Sequence, residues 1–306
     1  MKSKIWNVGR FRIELRRPLV MGIVNVTPDS FADGGKHDDA VSALRHAEQL
    51  LHEQADILDV GGESTRPGAP RVPCEIELER VLPVVRELVR WRVPVSVDTR
   101  TPEVMRRALD LGVDIINDIQ ALRAPGAIQA VADSPAGVCL MHMRGDPANM
   151  QDHAAYENVV AEVDAFLIER VRLLQQHGIS RDRLCLDPGF GFSKKLTHNL
   201  ALVASLRRLA VHGLPLLVGV SRKSMVGQLT GRPVGERLAS SLAAALACVK
   251  RGADIVRVHD VAATVDALKV WWSVESVELE GEPRLQVPGS GEDGFWPDIV
   301  EEIPPC

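Results

Sequence analysis

The chain has 306 residues, 45% of them apolar and only 4% aromatic. Ala, Val and Leu carry the hydrophobicity, which favours helices packed on a buried parallel sheet over a β-sandwich. The net charge of −5 is unevenly spread: residues 276–306 carry eight acids against one base, Arg284, and the nearly neutral, slightly positive remainder lacks the broad basic surface that nucleic acid requires.

In chain order, residues 5–15 read as a small hairpin turning at Asn7 to Gly9, whose simplest role is to plug the bottom of the domain built by the residues after it. Then one theme repeats: a β-branched run, a polar or glycine-rich turn, an amphipathic stretch. The strands fall at 20–26, 56–62, 94–99, 114–119, 137–143, 183–189, 215–220 and 254–260. The helices fall at 39–54, 75–91, 102–111, 125–133, 156–177, 199–211, 235–251 and 261–272. Thr101-Pro102-Glu103 supplies a capping residue, a proline at the first helical position and a first-turn acid. Gly112, Gly178 and Gly252 stand where left-handed C-caps are wanted.

Strand then helix, eight times, is the count that closes a (β/α)₈ TIM barrel in an α/β fold. A doubly wound open sheet is disfavoured because no GxGxxG follows the first strand. The organisation is therefore one domain over 1–275, followed by an acidic Gly/Pro-rich tail, 276–306, expected to be disordered or loosely docked. Five scattered cysteines without a CxxC suggest neither a disulfide framework nor a zinc site. With no signal-peptide core and no apolar run long enough to span a bilayer, the expected compartment is the cytoplasm.

Barrel enzymes keep their sites at the C-terminal ends of the strands. Here those ends carry Asn25, Glu63, Asp98, Asn117, His142, Asp187, Arg222 with Lys223, and Arg257 with His259. One such residue usually caps a helix or orders a turn; eight strands converging on polar ends point to a site. Asp98, Asn117 and Asp187 suit the donor edge of a flat heterocycle, since carboxylates accept pairs of hydrogen bonds and an amide both donates and accepts. Lys223, Arg257 and His259 come from the last two strands, where barrels recognise phosphate, and Ser221 to Ser224 opens toward a helix N-terminus. His142 reads as a satisfied strand-end histidine, and Glu63 as a residue that orders its own loop. The long loops 27–38 and 61–74 are rich in Gly and Pro and read as functional lids.

The stretches GIVNVTPDSFADGG, DILDVGGESTRPGA, SVDT, IINDI, LMHMRGDPANMQ, LDPGFGFSKKLTHN, GVSRKSMVG and DIVRVHD, in this order, resemble the dihydropteroate synthase family along about 18–272. The resemblance implies joining of 6-hydroxymethyl-7,8-dihydropterin pyrophosphate to 4-aminobenzoate, with pyrophosphate released, as a step of folate biosynthesis. It also implies sensitivity to sulfonamides that mimic 4-aminobenzoate. By resemblance, Asn25 would ligate Mg²⁺; Asp98, Asn117, Asp187 and Lys223 would hold the pterin. Arg257 would cover its face, with His259 and Thr65 completing the anion site. Phe192, Arg66, Pro67, Ser221 and Ser224 would shape the 4-aminobenzoate pocket, and Phe31 would close over it. A homodimer is implied as well.

With no activated nucleophile among these residues, a dissociative displacement is the expected mechanism, Asp98, Asp187, Lys223 and Arg257 being its catalytic groups. The rival readings are a non-catalytic pterin-binding paralogue and a methyltetrahydrofolate–corrinoid methyltransferase; the latter has no use for TRPG, SRKS or RVHD. Two departures from the family pattern stand out. Ser193 replaces a glycine in GFSKK, and charged Arg144 and Asp146 enter the fifth loop.

Overall fold

The computed structural model describes residues 4–26, 36–276 and 299–303. Eleven strands and ten α-helices are defined among them. A hairpin, β1 (Lys4–Val8) and β2 (Phe11–Leu15), precedes the repeating units. These run β3 (Leu19–Asn25), α1 (Lys36–His52), β4 (Ile57–Gly61), α2 (Cys74–Leu88), β5 (Val95–Asp98), α3 (Pro102–Asp110), β6 (Ile115–Asp118), α4 (Ala127–Ala132), β7 (Gly137–Met141), α5 (Val159–Gln176) and β8 (Leu184–Asp187). Next come α6 (Leu196–Ala204), α7 (Arg207–Ala210), β9 (Leu217–Val218), α8 (Ser224–Thr230), α9 (Leu238–Val249), β10 (Ile255–Val258), α10 (Val261–Glu275) and β11 (Val300–Glu302).

Eight parallel strands lie in the order β8-β7-β6-β5-β4-β3-β10-β9, and a bridge between Leu186 and Leu216 joins the two ends of that sheet. The barrel expected from the eightfold alternation is present. Its helices obey local chemistry: α3 buries Val104, Met105 and Ala108 and exposes its arginines, the spacing of an amphipathic helix. Pro102 does open α3, but Thr101 does not cap it. The Thr101 hydroxyl donates instead to buried Glu77 at 2.8 Å, because an unsatisfied buried carboxylate is the more costly partner to lose.

Side chains alternate along a strand, and this stacks the barrel interior in layers. Ile57, Ile115, Cys139, Cys185, Leu217 and Ile255 form the lower layer and pack against Trp6, Val8, Phe11 and Ile13 of the hairpin, all nearly or fully buried. The hairpin is thus the floor of the barrel. Its turn is at Gly9 and Arg10, since Val8 pairs directly with Phe11. Gly9 has φ +51°, and a Cβ there would lie 2.7 Å from Asp114 Oδ1, so only glycine fits.

The acidic segment is only partly within the described residues. What is described is docked: β11 pairs antiparallel with β2, and Ile299 is buried in the floor cluster. Arg12–Glu301 (3.5 Å) and Arg92–Glu302 (3.4 Å) add exposed ion pairs, each contributing little.

Candidate active site

Two residues above most floor positions the interior turns polar; above Cys139 it stays apolar at Met141, and above Leu217 stands Gly219. Ile57 is followed by Asp59, Ile115 by Asn117, Cys185 by Asp187 and Ile255 by Arg257; Ser96 leads in the same way to Asp98. Strand register places Asp98 beside Asn117 and Asp187 beside Met141. Period-two alternation thus converts an apolar floor into a charged upper layer within one step.

Arg257 is the hub. Its Nε donates to Asp59 at 2.6 Å and its Nη2 to Asp98 at 2.8 Å. Asn117 Nδ2 lies 3.4 Å from the same Asp59 oxygen. Burial works against the Arg257 charge, yet Asp59 and Asp98 outweigh it and hold the guanidinium above its ordinary pKa. Asp98 is pushed up to about 7, by burial first, with Arg257 pulling it back. Burial also raises Asp187, against Lys223 and the Gly189 N–H, which donates to its Oδ1 at 2.7 Å.

Lys223 precedes α8 and reaches inward past Gly219, where a Cβ would touch its Nζ at 3.8 Å. Its ammonium donates to the Phe190 carbonyl and stands 4.6 Å over the Phe192 ring. Burial brings it down to about 8, with Asp187 supporting the charge. Arg222, adjacent in sequence, goes elsewhere. At φ +56° its backbone is left-handed, and its side chain pairs with Asp260 (Nε to Oδ2 2.9 Å). Only one of the two cations faces the barrel.

On the rim, Ser221 Oγ contacts His259 Nδ1 at 3.0 Å and accepts the His259 N–H at 3.3 Å. The hydroxyl, having accepted, is free to donate to Nδ1, which leaves the proton on Nε2. Burial, then Arg257, brings His259 down to about 4, so near neutrality it offers a hydrogen bond and no positive charge. Asn25 ends β3, half-buried, and Thr65 is half-buried in the loop after β4; Arg66, Pro67 and Ser224 are exposed. Phe31 lies outside the described residues.

Phe192 joins Ile119, Met141, Met143 and Met150 in a small apolar cluster at the mouth. Beneath it lies an arrangement the sequence did not announce. Lys194 Nζ, in a 4% exposed residue, sits 3.0 Å from His142 Nδ1 and donates to the carbonyls of Gly189 (3.0 Å) and Phe192 (2.9 Å). Burial lowers Lys194 well below its ordinary range and takes His142 to about 2. His142 is the satisfied residue it was expected to be. Gly189, at φ +69°, passes so close that a Cβ would meet the His142 carbonyl at 2.1 Å. Ser193 replaces a glycine at φ +48° and uses its hydroxyl to accept the Arg144 N–H at 2.8 Å. Glu63, likewise as expected, accepts the Val72 N–H of its own loop at 2.9 Å.

Asp59 was missed among the candidates. Fully buried, it leaves Oδ1 without a hydrogen-bond partner. An acid in the middle of the buried strand DILDVGG was the available signal, since such a residue is rarely placed in a core without a partner. A cavity of about 310 Å³ lies at the opposite end of the barrel, lined by residues such as Ala55, Asp56, Pro94 and Val300. There Asp56 is already paired with Arg17 (2.7 Å), so it offers no converging free groups.

Among the described residues no helix is long and apolar enough to cross a membrane, and no cluster of three or more His, Cys, Asp or Glu could hold a metal. Residues 21–259 match the family described as pterin binding enzyme. A dihydropteroate synthase of Neisseria meningitidis serogroup B is 54% identical over 278 residues, covering 89% of this chain and 98% of that protein. The solved structure of the Xanthomonas albilineans dihydropteroate synthase with 4-aminobenzoic acid superposes with a TM-score of 0.85 at 52% identity, covering 90% of this chain and all of the other. That of the Burkholderia cenocepacia enzyme, complexed with 7,8-dihydropteroate, gives 0.82 at 50% identity, over 89% and 97% of the two chains. With its barrel, its charged upper layer and these relatives, the chain belongs to the dihydropteroate synthases of the pterin binding enzyme family.

Proposed function

We propose that this chain is a transferase that joins 6-hydroxymethyl-7,8-dihydropterin pyrophosphate to 4-aminobenzoate, forming 7,8-dihydropteroate and pyrophosphate. The observation that carries the reading is the upper layer of the barrel, where Asp59, Asp98 and Asp187, one amide and two cations converge on the barrel interior. A pterin offers that space a flat ring edged with N–H donors and acceptors. Asp187 and Asn117 are suited to its donor edge, and Asp98 to another donor once Arg257 turns toward the phosphates. The partnerless Asp59 Oδ1 is a further acceptor. Phe192 and the methionines supply the apolar wall.

In the reaction the C–O bond between the pterin methylene and the pyrophosphate breaks, and a C–N bond to the arylamine forms as the amine loses a proton. Asp98 and Asp187 stabilise positive charge developing on the ring. Lys223 and Arg257 hold the anion, with His259 as a neutral donor and Thr65, Ser221 and Ser224 as hydroxyl partners. Arg66, Pro67, Phe192 and Phe31 form the arylamine side. Asn25, one neutral amide oxygen, fits a Mg²⁺ that takes its remaining ligands from phosphate and water, as this ion commonly does. Such an ion would neutralise charge on the leaving group. Exposed Leu229, Leu238, Val270 and Val274 on α8, α9 and α10 support the homodimer reading.

A coupled assay tests the activity. Dihydropteroate and pyrophosphate should appear in equal amounts, and dihydropteroate should stop forming when a sulfonamide is added. Pterin binding by calorimetry without any product would instead make the chain a binding paralogue.

The pH profile is a second test. Asp98 accepts pterin donors only when ionised, so kcat/KM should rise as pH passes about 7. Lys223 holds an anion only when protonated, so kcat/KM should fall as pH passes about 8. The result is a narrow bell for the free enzyme, and Lys223→Arg should extend its alkaline side. A flat profile from pH 6 to 9 would remove both groups from substrate recognition.

A further inference from the structure

The charged residue at position 146, a departure from the family pattern, has a partner. Arg100 follows β5 and is only 6% exposed. Its planar fork donates from Nε and Nη2 to Glu63 at 2.9 and 3.0 Å, and from Nη1 to Asp146 at 3.0 Å. Glu63 belongs to the loop after β4, and Asp146 to the loop after β7. The first loop is also fixed at its return by Val72 N–H on Glu63 Oε1, and at its tip, where the Gly68 N–H donates to the Pro147 carbonyl at 3.0 Å. Gln120 adds a 2.7 Å bond to Asp146 Oδ1.

Thr65, Arg66 and Pro67 lie between the anchors at Glu63 and Gly68. Met143 and Met150 flank Asp146 and belong to the Phe192 cluster. The two loops therefore carry two walls of the space assigned above to the arylamine, and Arg100 stands at their junction. The geometry points to Arg100 as a positioning residue that sets the width of the arylamine cleft by tying Glu63 to Asp146. This rests on the assignment of that cleft to 4-aminobenzoate. The two halves of the tie differ: the Glu63 side chain is 4% exposed and the Asp146 side chain 56%. The first is a fixed anchor; the second is an adjustable, salt-sensitive one.

Asp146→Ala releases the exposed half without leaving a buried charge alone, so the variant folds. KM for 4-aminobenzoate should rise about two- to fivefold, the range for an exposed ion pair, while kcat and KM for the pterin pyrophosphate stay as in the parent. Asp146→Glu should restore the parent value, and added salt should move the parent toward the variant. Equal changes in both KM values, or none in either, would overturn the tie. If the parent itself binds the pterin but never consumes 4-aminobenzoate, the cleft assignment falls, and this inference with it.

Discussion

Replacing Arg257 with Met should cost about 3–5 kcal/mol of stability at pH 8, the effect of removing one partner from a buried ion pair. The loss should be much smaller at pH 5. In the parent, one guanidinium serves two carboxylates, Asp59 with no exposed side-chain surface and Asp98 with 10%. Without it both carboxyls are buried beside each other without the charge that paired them, so the folded-state pKa of Asp98, already raised by burial, rises further above that of the unfolded chain. Between the unfolded and folded values the folded protein binds more protons, and its stability falls as pH increases. Acid therefore rescues the variant. Denaturant melts at the two pH values check this; an equal loss at both would mean that Arg257 acts by packing its stem and not by its charge.

The other large effect is at Asp187. Asp187→Asn keeps an oxygen for the Gly189 N–H, and so keeps the turn, but removes the charge. Pterin affinity should fall at least tenfold, since a hydrogen bond to a charged group contributes about 1.5–3 kcal/mol. The melting temperature should hold or rise, because burial already disfavours the ionised carboxylate. Asp187→Ala should lose both binding and stability, having freed the Gly189 N–H as well. Calorimetry with the pterin and a thermal melt separate these outcomes. Near-normal turnover by the Asn variant would remove Asp187 from the pterin site.

The barrel was legible because its signals are local and repeated. Each strand is a short buried run, and Gly112, Gly178 and Gly252 all adopt the left-handed conformation expected after a helix, with φ +93°, +83° and +101°. Their place at the C-terminal ends of the strands also made Asp98, Asn117 and Asp187 readable as candidates for the site. Direction beyond the strand was harder to read. Arg222 and Lys223 are chemically alike and adjacent, yet one backbone angle sends Arg222 to Asp260 and Lys223 into the barrel. Lys194 carries no signal of enclosure in its sequence, since a lysine is seldom buried, and only the fold brings three carbonyls to its ammonium. The tie through Arg100 was equally hidden, since Glu63, Arg100 and Asp146 lie on three separate loops. Thr101 shows the same limit: its local role as a cap was overridden by Glu77, a residue far away in sequence.

Among the described residues, the floor made by Trp6, Val8, Phe11 and Ile13 leaves the barrel without a back door. Everything that enters must leave by the same opening, so traffic through the enzyme works like a stack, first in and last out. With the pterin beside Asp187, as proposed, an arylamine above it would trap it for as long as it stays. An arylamine that arrives first has to stand aside before the pterin can pass. Order of binding is then a consequence of plumbing, written into a hairpin at the end of the barrel away from the proposed site.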